Sequence, residues 1–148
     1  MARIKIELPA RKVAQLNIPV RITDINYGNH LGHDSLVGIL HEARVQWFRM
    51  LGFSELDVYG SSLIMSELAV QFKSESFYGD TLQIGIYLGE VSRVSLEIFY
   101  RVAVPRKDHF DEVGLAKTGM VCYDYQAGKV TSLPMRLKEQ LEGLPVMH

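Results

Sequence analysis

The sequence predicts an α+β domain in two layers, one antiparallel sheet of about five or six strands wrapped around one long central helix. Three observations point there. A single long helical stripe lies between residues 34 and 51, and four apolar-rich runs follow it. The connections between those runs are too short to hold crossover helices.

Ile18 to Thr23 reads as a strand ahead of the helix. In the helix itself, Leu36, Ile39, Leu40, Ala43, Trp47, Met50 and Leu51 recur at three- and four-residue steps. Asp34 or Ser35 is placed to cap its start, and Gly52 to stop it. Val37, Val45 and Phe48 carry apolar character beyond the stripe, so a helix buried on most sides is expected. The later runs are Leu63 to Phe72, Thr81 to Val91, Val94 to Val104 and Val113 to Tyr125. Turn chemistry at Tyr78-Gly79-Asp80, Ser92-Arg93, 105–111 and Ala127-Gly128 separates them, which predicts a meander. Pro134 to Leu141 is a candidate closing helix. One sheet around one helix leaves strand edges and apolar surface uncovered, so pairing with a second copy is expected.

The 148 residues fit one domain, 1–148, with no room for a second core. Hydrophobic residues make up 47% and charged residues 22%, the balance of a globular chain. With 16 Lys+Arg against 17 Asp+Glu, net charge gives no sign of a nucleic-acid or membrane partner. The single cysteine, Cys122, excludes an intrachain disulfide and sits in an apolar run, as a buried structural thiol would. The start of the chain lacks the apolar stretch of a signal peptide, and no uncharged run approaches the roughly 20 residues of a membrane span. A cytoplasmic setting is expected.

Polar chemistry concentrates between the first strand and the helix. The segment from Thr23 to Asp34 holds Asp24, Asn26, Tyr27, Gly28, Asn29, His30, Gly32 and His33. Such a density suits a site at a helix start, where free N–H groups can hold a carbonyl oxygen. A capping loop with solvated side chains is the plainer reading of the same residues. His30, His33 and Asp34 are zinc-ligand types, but no further cluster completes a ligand set, so no metal is expected. Glu42 falls on a helix face with Ser35, Gly38, Gln46 and Arg49. It is either an ion-pair or hydrogen-bond partner of Arg49 or Gln46, or a carboxylate facing a crevice.

These stretches resemble the hotdog-fold acyl-CoA thioesterases related to 4-hydroxybenzoyl-CoA thioesterase. Val20 to Asn26 is similar to the family's strand ending in an Asp-x-Asp pair, and Asn29-His30-Leu31-Gly32-His33 to its Gly-His-Val-Asn-Asn loop. Glu42-Ala43-Arg44 with Trp47, Leu51 and Gly52 resembles the helix signature, and Gly79-Asp80-Thr81-Leu82 the Gly-Asp-x-Leu turn. Tyr125 to Lys129 with Leu133-Pro134 resembles the family's ending. The resemblance implies a hotdog fold in a homodimer, often a homotetramer, that hydrolyses acyl-CoA or acyl-carrier-protein thioesters without metal or cofactor. It implies catalysis from Asn26, which stands where the family has an acid, and from His33, Glu42 or Asp24, with Tyr27, Gly28, Asn29 and His30 against substrate. Arg101, Arg106, Lys107 and Lys117 are candidates by type for CoA phosphates. Two other readings are a non-catalytic acyl-thioester binder and a hydroxyacyl-thioester dehydratase.

Overall fold

The computed structural model describes residues 3–148. Its elements run β1 (Lys12–Pro19), a single 3-10 turn (Ile22–Asp24), α1 (His33–Leu51), β2 (Ser62–Phe72), β3 (Thr81–Val91), β4 (Ser95–Pro105), β5 (Phe110–Asp124), the short β6 (Lys129–Val130) and α2 (Met135–Glu142). The strand predicted at Ile18 to Thr23 is displaced. Pairing with β3 ends at Pro19, because the chain then tightens into the 3-10 turn, with the Asp24 carboxylate accepting the Arg21 N–H at 2.8 Å.

All strand pairs are antiparallel, in the order β1-β3-β4-β5-β2, with β6 beside β5. The predicted meander holds for β3, β4 and β5 only. β2 follows α1 directly but pairs with β5, at the far edge from β1. The helix lies across one face of the sheet, and carrying the chain over it delivers β2 to the opposite side.

Alternation along the strands explains the packing. Leu82, Ile84, Ile86 and Leu88 on β3, and Leu96, Ile98, Tyr100 and Val102 on β4, are buried. From α1 the stripe Leu36, Ile39, Leu40, Ala43, Trp47 and Phe48 joins the same core. Met50, expected on that stripe, is exposed, and Val37 and Val45 are half-buried. One flank of α1 therefore faces solvent in the single chain, and the helix is not enclosed on most sides. Gly52 ends α1 with φ 95°, a left-handed cap that no β-carbon favours, and its N–H returns to Arg49 O at 3.1 Å. At the other end the cap is Gly32, without a side-chain hydrogen bond, so neither Asp34 nor Ser35 does the predicted work. α2 closes the core with Leu137 and Leu141, and Arg11 donates to the carbonyls of Leu141, Glu142 and Leu144 at its end. Cys122 is fully buried, as its apolar run implies. Among the described residues, no helix is long and apolar enough to cross a membrane.

One polar tie crosses the helix–sheet interface. Arg44 on α1 is 5% exposed, donates to Glu55 at 2.7 Å and to the Tyr100 hydroxyl on β4 at 3.2 Å. Burial pushes the Tyr100 hydroxyl up, so it stays protonated, and it shares a 2.7 Å hydrogen bond with the Thr118 hydroxyl on β5. Replacing Arg44 by Met should cost about 3 kcal/mol, because the half-buried Glu55 carboxylate loses its guanidinium partner and keeps only His41 at 3.4 Å. Tyr100→Phe should cost about 1 kcal/mol. Urea unfolding of the two variants checks the ranking, and equal losses would contradict it.

Candidate functional site

The loop between the 3-10 turn and α1 is closed by its own backbone. Asn26 N donates to His30 O at 2.9 Å, Asn29 N to Asn26 O at 3.1 Å, and Ile25 and Leu31 form an isolated bridge. Asn29 takes a left-handed φ of 65°, which Asn tolerates better than most residues. The Asn26 side chain completes the turn, its Oδ1 accepting the Gly28 N–H at 2.9 Å and the His30 N–H at 3.4 Å. With the oxygen committed inward, the amide Nδ2 keeps both of its protons for another partner.

His30 is held from two sides. Its Nδ1 lies 3.2 Å from the Leu31 carbonyl oxygen, which can only accept, so Nδ1 carries a proton and, in the neutral ring, Nε2 keeps a lone pair. Gly28 makes room for the ring, since a β-carbon there would meet Nε2 at 3.2 Å. Leu31 N donates to Ser76 O at 2.8 Å, and Gly32 N to Asp24 O at 3.0 Å, which fixes the loop against the β2–β3 connection. Leu36 N donates to Gly32 O at 3.0 Å, and among the described residues the N–H groups of His33, Asp34 and Ser35 before it have neither an intrahelical nor a side-chain capping partner.

A cleft of about 340 Å³ opens at this junction. Asn26, His30, Gly32 and His33 line one wall. Phe72, Lys73 and the stretch from Ser74 to Ser76 line the other. Glu75, a residue that sequence reasoning passed over, brings its carboxylate 3.8 Å from His30 Nε2. A lone acid in a Ser-Glu-Ser turn looks like any solvated turn residue, and only the bond from Leu31 to Ser76 shows which loop it faces.

The structure groups the expected site residues differently from the sequence. Asn26, His30 and His33 share the cleft. Asp24 and Glu42 line a separate groove with Ser35 and Gly38, on the flank of α1 that faces β1. Asp24 does not share an extended strand with Asn26, contrary to expectation, because it is the last residue of the 3-10 turn and its carboxylate is turned onto Arg21. Glu42 accepts a 3.0 Å hydrogen bond from Gln46 and also lines that groove, so both of its readings have a counterpart in the structure. Tyr27 is fully exposed beside the loop, and neither it nor Asn29 lines the cleft. No group of three or more His, Cys, Asp or Glu among the described residues could hold a metal ion.

Three of the four cations considered for phosphate are engaged elsewhere. Arg101 pairs with Glu112 at 2.9 Å, and Lys117 lies between Glu97 and Glu67 at 2.7 and 2.9 Å. Hydrogen bonds donated to those two carboxylates push the Lys117 amine up to about 12. Arg106 binds Asp80 at 2.7 Å and Asp111 at 2.8 Å, which holds its guanidinium charged. Lys107 is exposed on the β4–β5 hairpin.

The Asp80–Arg106 pair bears on the cleft. Partial burial opposes the Asp80 charge, yet hydrogen bonds from Arg106, the Phe77 N–H and Ser76 outweigh it and hold the carboxyl below the usual range. Ser76, whose carbonyl anchors Leu31, is thereby tied through Asp80 to the hairpin. A depressed carboxylate contributes stability that is present above its unfolded value and lost as pH falls through the folded one. Urea midpoints should therefore drop as pH falls below about 4. Arg106→Met should lower the neutral-pH midpoint and flatten that acid dependence. An unchanged slope would contradict the role given to the pair.

Comparison with known proteins agrees with this architecture. The family described as the thioesterase-like superfamily matches residues 20–141. No curated protein sequence matches the chain. Among solved structures, the PA2801 protein of Pseudomonas aeruginosa is similar with a TM-score of 0.79 at 20% identity, over 88% of this chain and 99% of that one. A 1,4-dihydroxy-2-naphthoyl-CoA thioesterase from Synechocystis gives 0.78 at 16% identity, over 88% and 96%. A DHNA-CoA thioesterase from Staphylococcus aureus gives 0.75 at 18% identity, over 87% and 86%. At such identities these likenesses show the fold.

Proposed function

The chain belongs to the thioesterase-like superfamily, and from that membership we propose that it hydrolyses an acyl-CoA or acyl-carrier-protein thioester to free acid and thiol in the cleft at the start of α1. The observation that carries this reading is the placement of one oriented imidazole, His30, beside an amide with donors to spare, Asn26, at an uncapped helix start.

The chemistry follows from those groups. The thioester carbonyl oxygen takes hydrogen bonds from Asn26 Nδ2 and the first-turn N–H groups of α1, which stabilise the charge that develops on it. Water adds to the carbonyl carbon as His30 Nε2 takes its proton. The C–S bond then breaks, the carbonyl re-forms, and the proton passes to the departing thiolate. His33, which has no fixed partner, flanks the cleft as a substrate contact rather than the base. Asn26, as an amide, orients and polarises but takes no proton.

The functional unit in this reading is a homodimer built through β2. Among the described residues that strand pairs only with β5, and it exposes Met65, Leu68 and Phe72, the last of which lines the cleft. The half-buried flank of α1, with Val37 and Val45, offers the partner further apolar surface. A cytoplasmic setting suits the single buried thiol.

Thiol release across short, long and aromatic acyl-CoAs is the direct test. His30→Ala and Asn26→Ala should each lower kcat roughly 10²-fold or more, while Glu42→Ala should stay within about twofold. A ligand retained without thiol release would instead make the protein a binder of acyl thioesters. Separately, sedimentation should give a dimer, and Leu68→Lys should shift it to monomer with loss of turnover; a wild-type monomer with full turnover would overturn the proposed unit.

A further inference from the structure

We infer that Glu75 is a catalytic residue, supplying from the β2–β3 connection the carboxylate that position 26 lacks, and that it holds the attacking water jointly with His30. The inference rests on the hydrolase reading and adds to it a group from a different part of the chain.

His30 Nδ1 carries its proton toward Leu31 O, so Nε2 presents a lone pair. Facing it at 3.8 Å is Glu75 Oε1, another acceptor when ionised. Two acceptors do not bond to each other, and 3.8 Å is beyond a direct hydrogen bond. The spacing suits one water, about 2.8 Å from each atom, donating a proton to both. Such a water has both protons committed, and its lone pairs are free to point at a carbonyl carbon held by Asn26. Attack forms the new C–O bond while one of those protons moves to Nε2. The ionised carboxylate nearby offsets the charge on the imidazolium until the leaving thiolate takes that proton up, and no electron donor or further reactant is needed.

Position and accessibility agree. Ser76, the next residue, accepts the Leu31 N–H through its carbonyl, and its hydroxyl is bonded to Asp80 at 2.9 Å, so the backbone that carries Glu75 is fixed against the His30 loop. Side-chain exposures of 62% for Glu75 and 32% for His30 leave both reachable by substrate and water. Neither Asp24 nor Glu42 can serve in their place, since both line the other groove.

The experiment compares Glu75→Gln, His30→Ala and the double variant in thiol release, with melting temperature alongside. Glu75→Gln should lower kcat about 10- to 100-fold with KM within about twofold and leave the melting temperature unchanged. In the His30→Ala background the same substitution should cost nothing further, because the two groups act on one water. Wild-type kcat in Glu75→Gln, or a loss that adds fully to that of His30→Ala, would overturn the role of Glu75 and leave the hydrolase reading standing. If wild type releases no thiol from any substrate, it is the hydrolase reading that fails. A high-resolution crystal structure then decides the water-holding pair: an ordered water within hydrogen-bond reach of both Nε2 and the Glu75 carboxylate supports it, and direct contact or no shared water overturns it.

Discussion

The interaction on which the rest depends is burial of one helical face in the concavity of one sheet. Leu36, Ile39, Leu40, Ala43, Trp47 and Phe48 bring enough apolar surface to α1 that it cannot sit beside the sheet and must lie across it. That placement settles the topology. With α1 across the face, the chain leaving Gly52 emerges on the side away from β1, and β2 has β5 rather than β3 as its available edge. Arg44 adds direction to an otherwise non-directional contact, since its bonds to Tyr100 and Glu55 admit one rotation of the helix about its axis. A buried charge with this many partners specifies an arrangement more than it adds stability.

The cleft is a consequence of the same crossing. The loop that enters α1 and the connection that leaves β2 come from opposite edges of the sheet, yet both finish at the helix start. The bond from Leu31 to Ser76 joins them, and Arg106 braces the second loop through Asp80. Side chains far apart in sequence thus face one another across a gap whose width is set by backbone hydrogen bonds, not by the side chains themselves.

Much of this was legible in the residues, for definite reasons. The period of the helical stripe and the alternation of the later strands come from burial on one face, so the sheet, α1 and Gly52 could be read directly. The strand order could not, because pairing partners depend on where the helix lies and not on any local pattern. Apolar Ile18 to Thr23 looked extended, whereas the Asp24 carboxylate, by capping its own turn, bent that segment at Ile22. His30 and Asn26 stood out as polar residues crowded beside glycine. Glu75 did not, since its neighbours Ser74 and Ser76 are ordinary turn residues and its significance lies wholly in what it faces.

An amide at position 26 makes physical sense in that setting. Its oxygen is needed to accept the Gly28 and His30 N–H groups, which shapes the loop and aims the imidazole. An aspartate could accept the same bonds, but it would present an anion where, in the proposed mechanism, the carbonyl oxygen gathers negative charge, and would set a second carboxylate on a cleft that already holds Glu75. The amide accepts toward the loop and still keeps N–H donors for another partner, two tasks a carboxylate cannot perform together. In the proposed mechanism Asn26 and His30 share one wall and Glu75 stands on the other, so the carboxylate is kept apart from the amide that polarises the carbonyl.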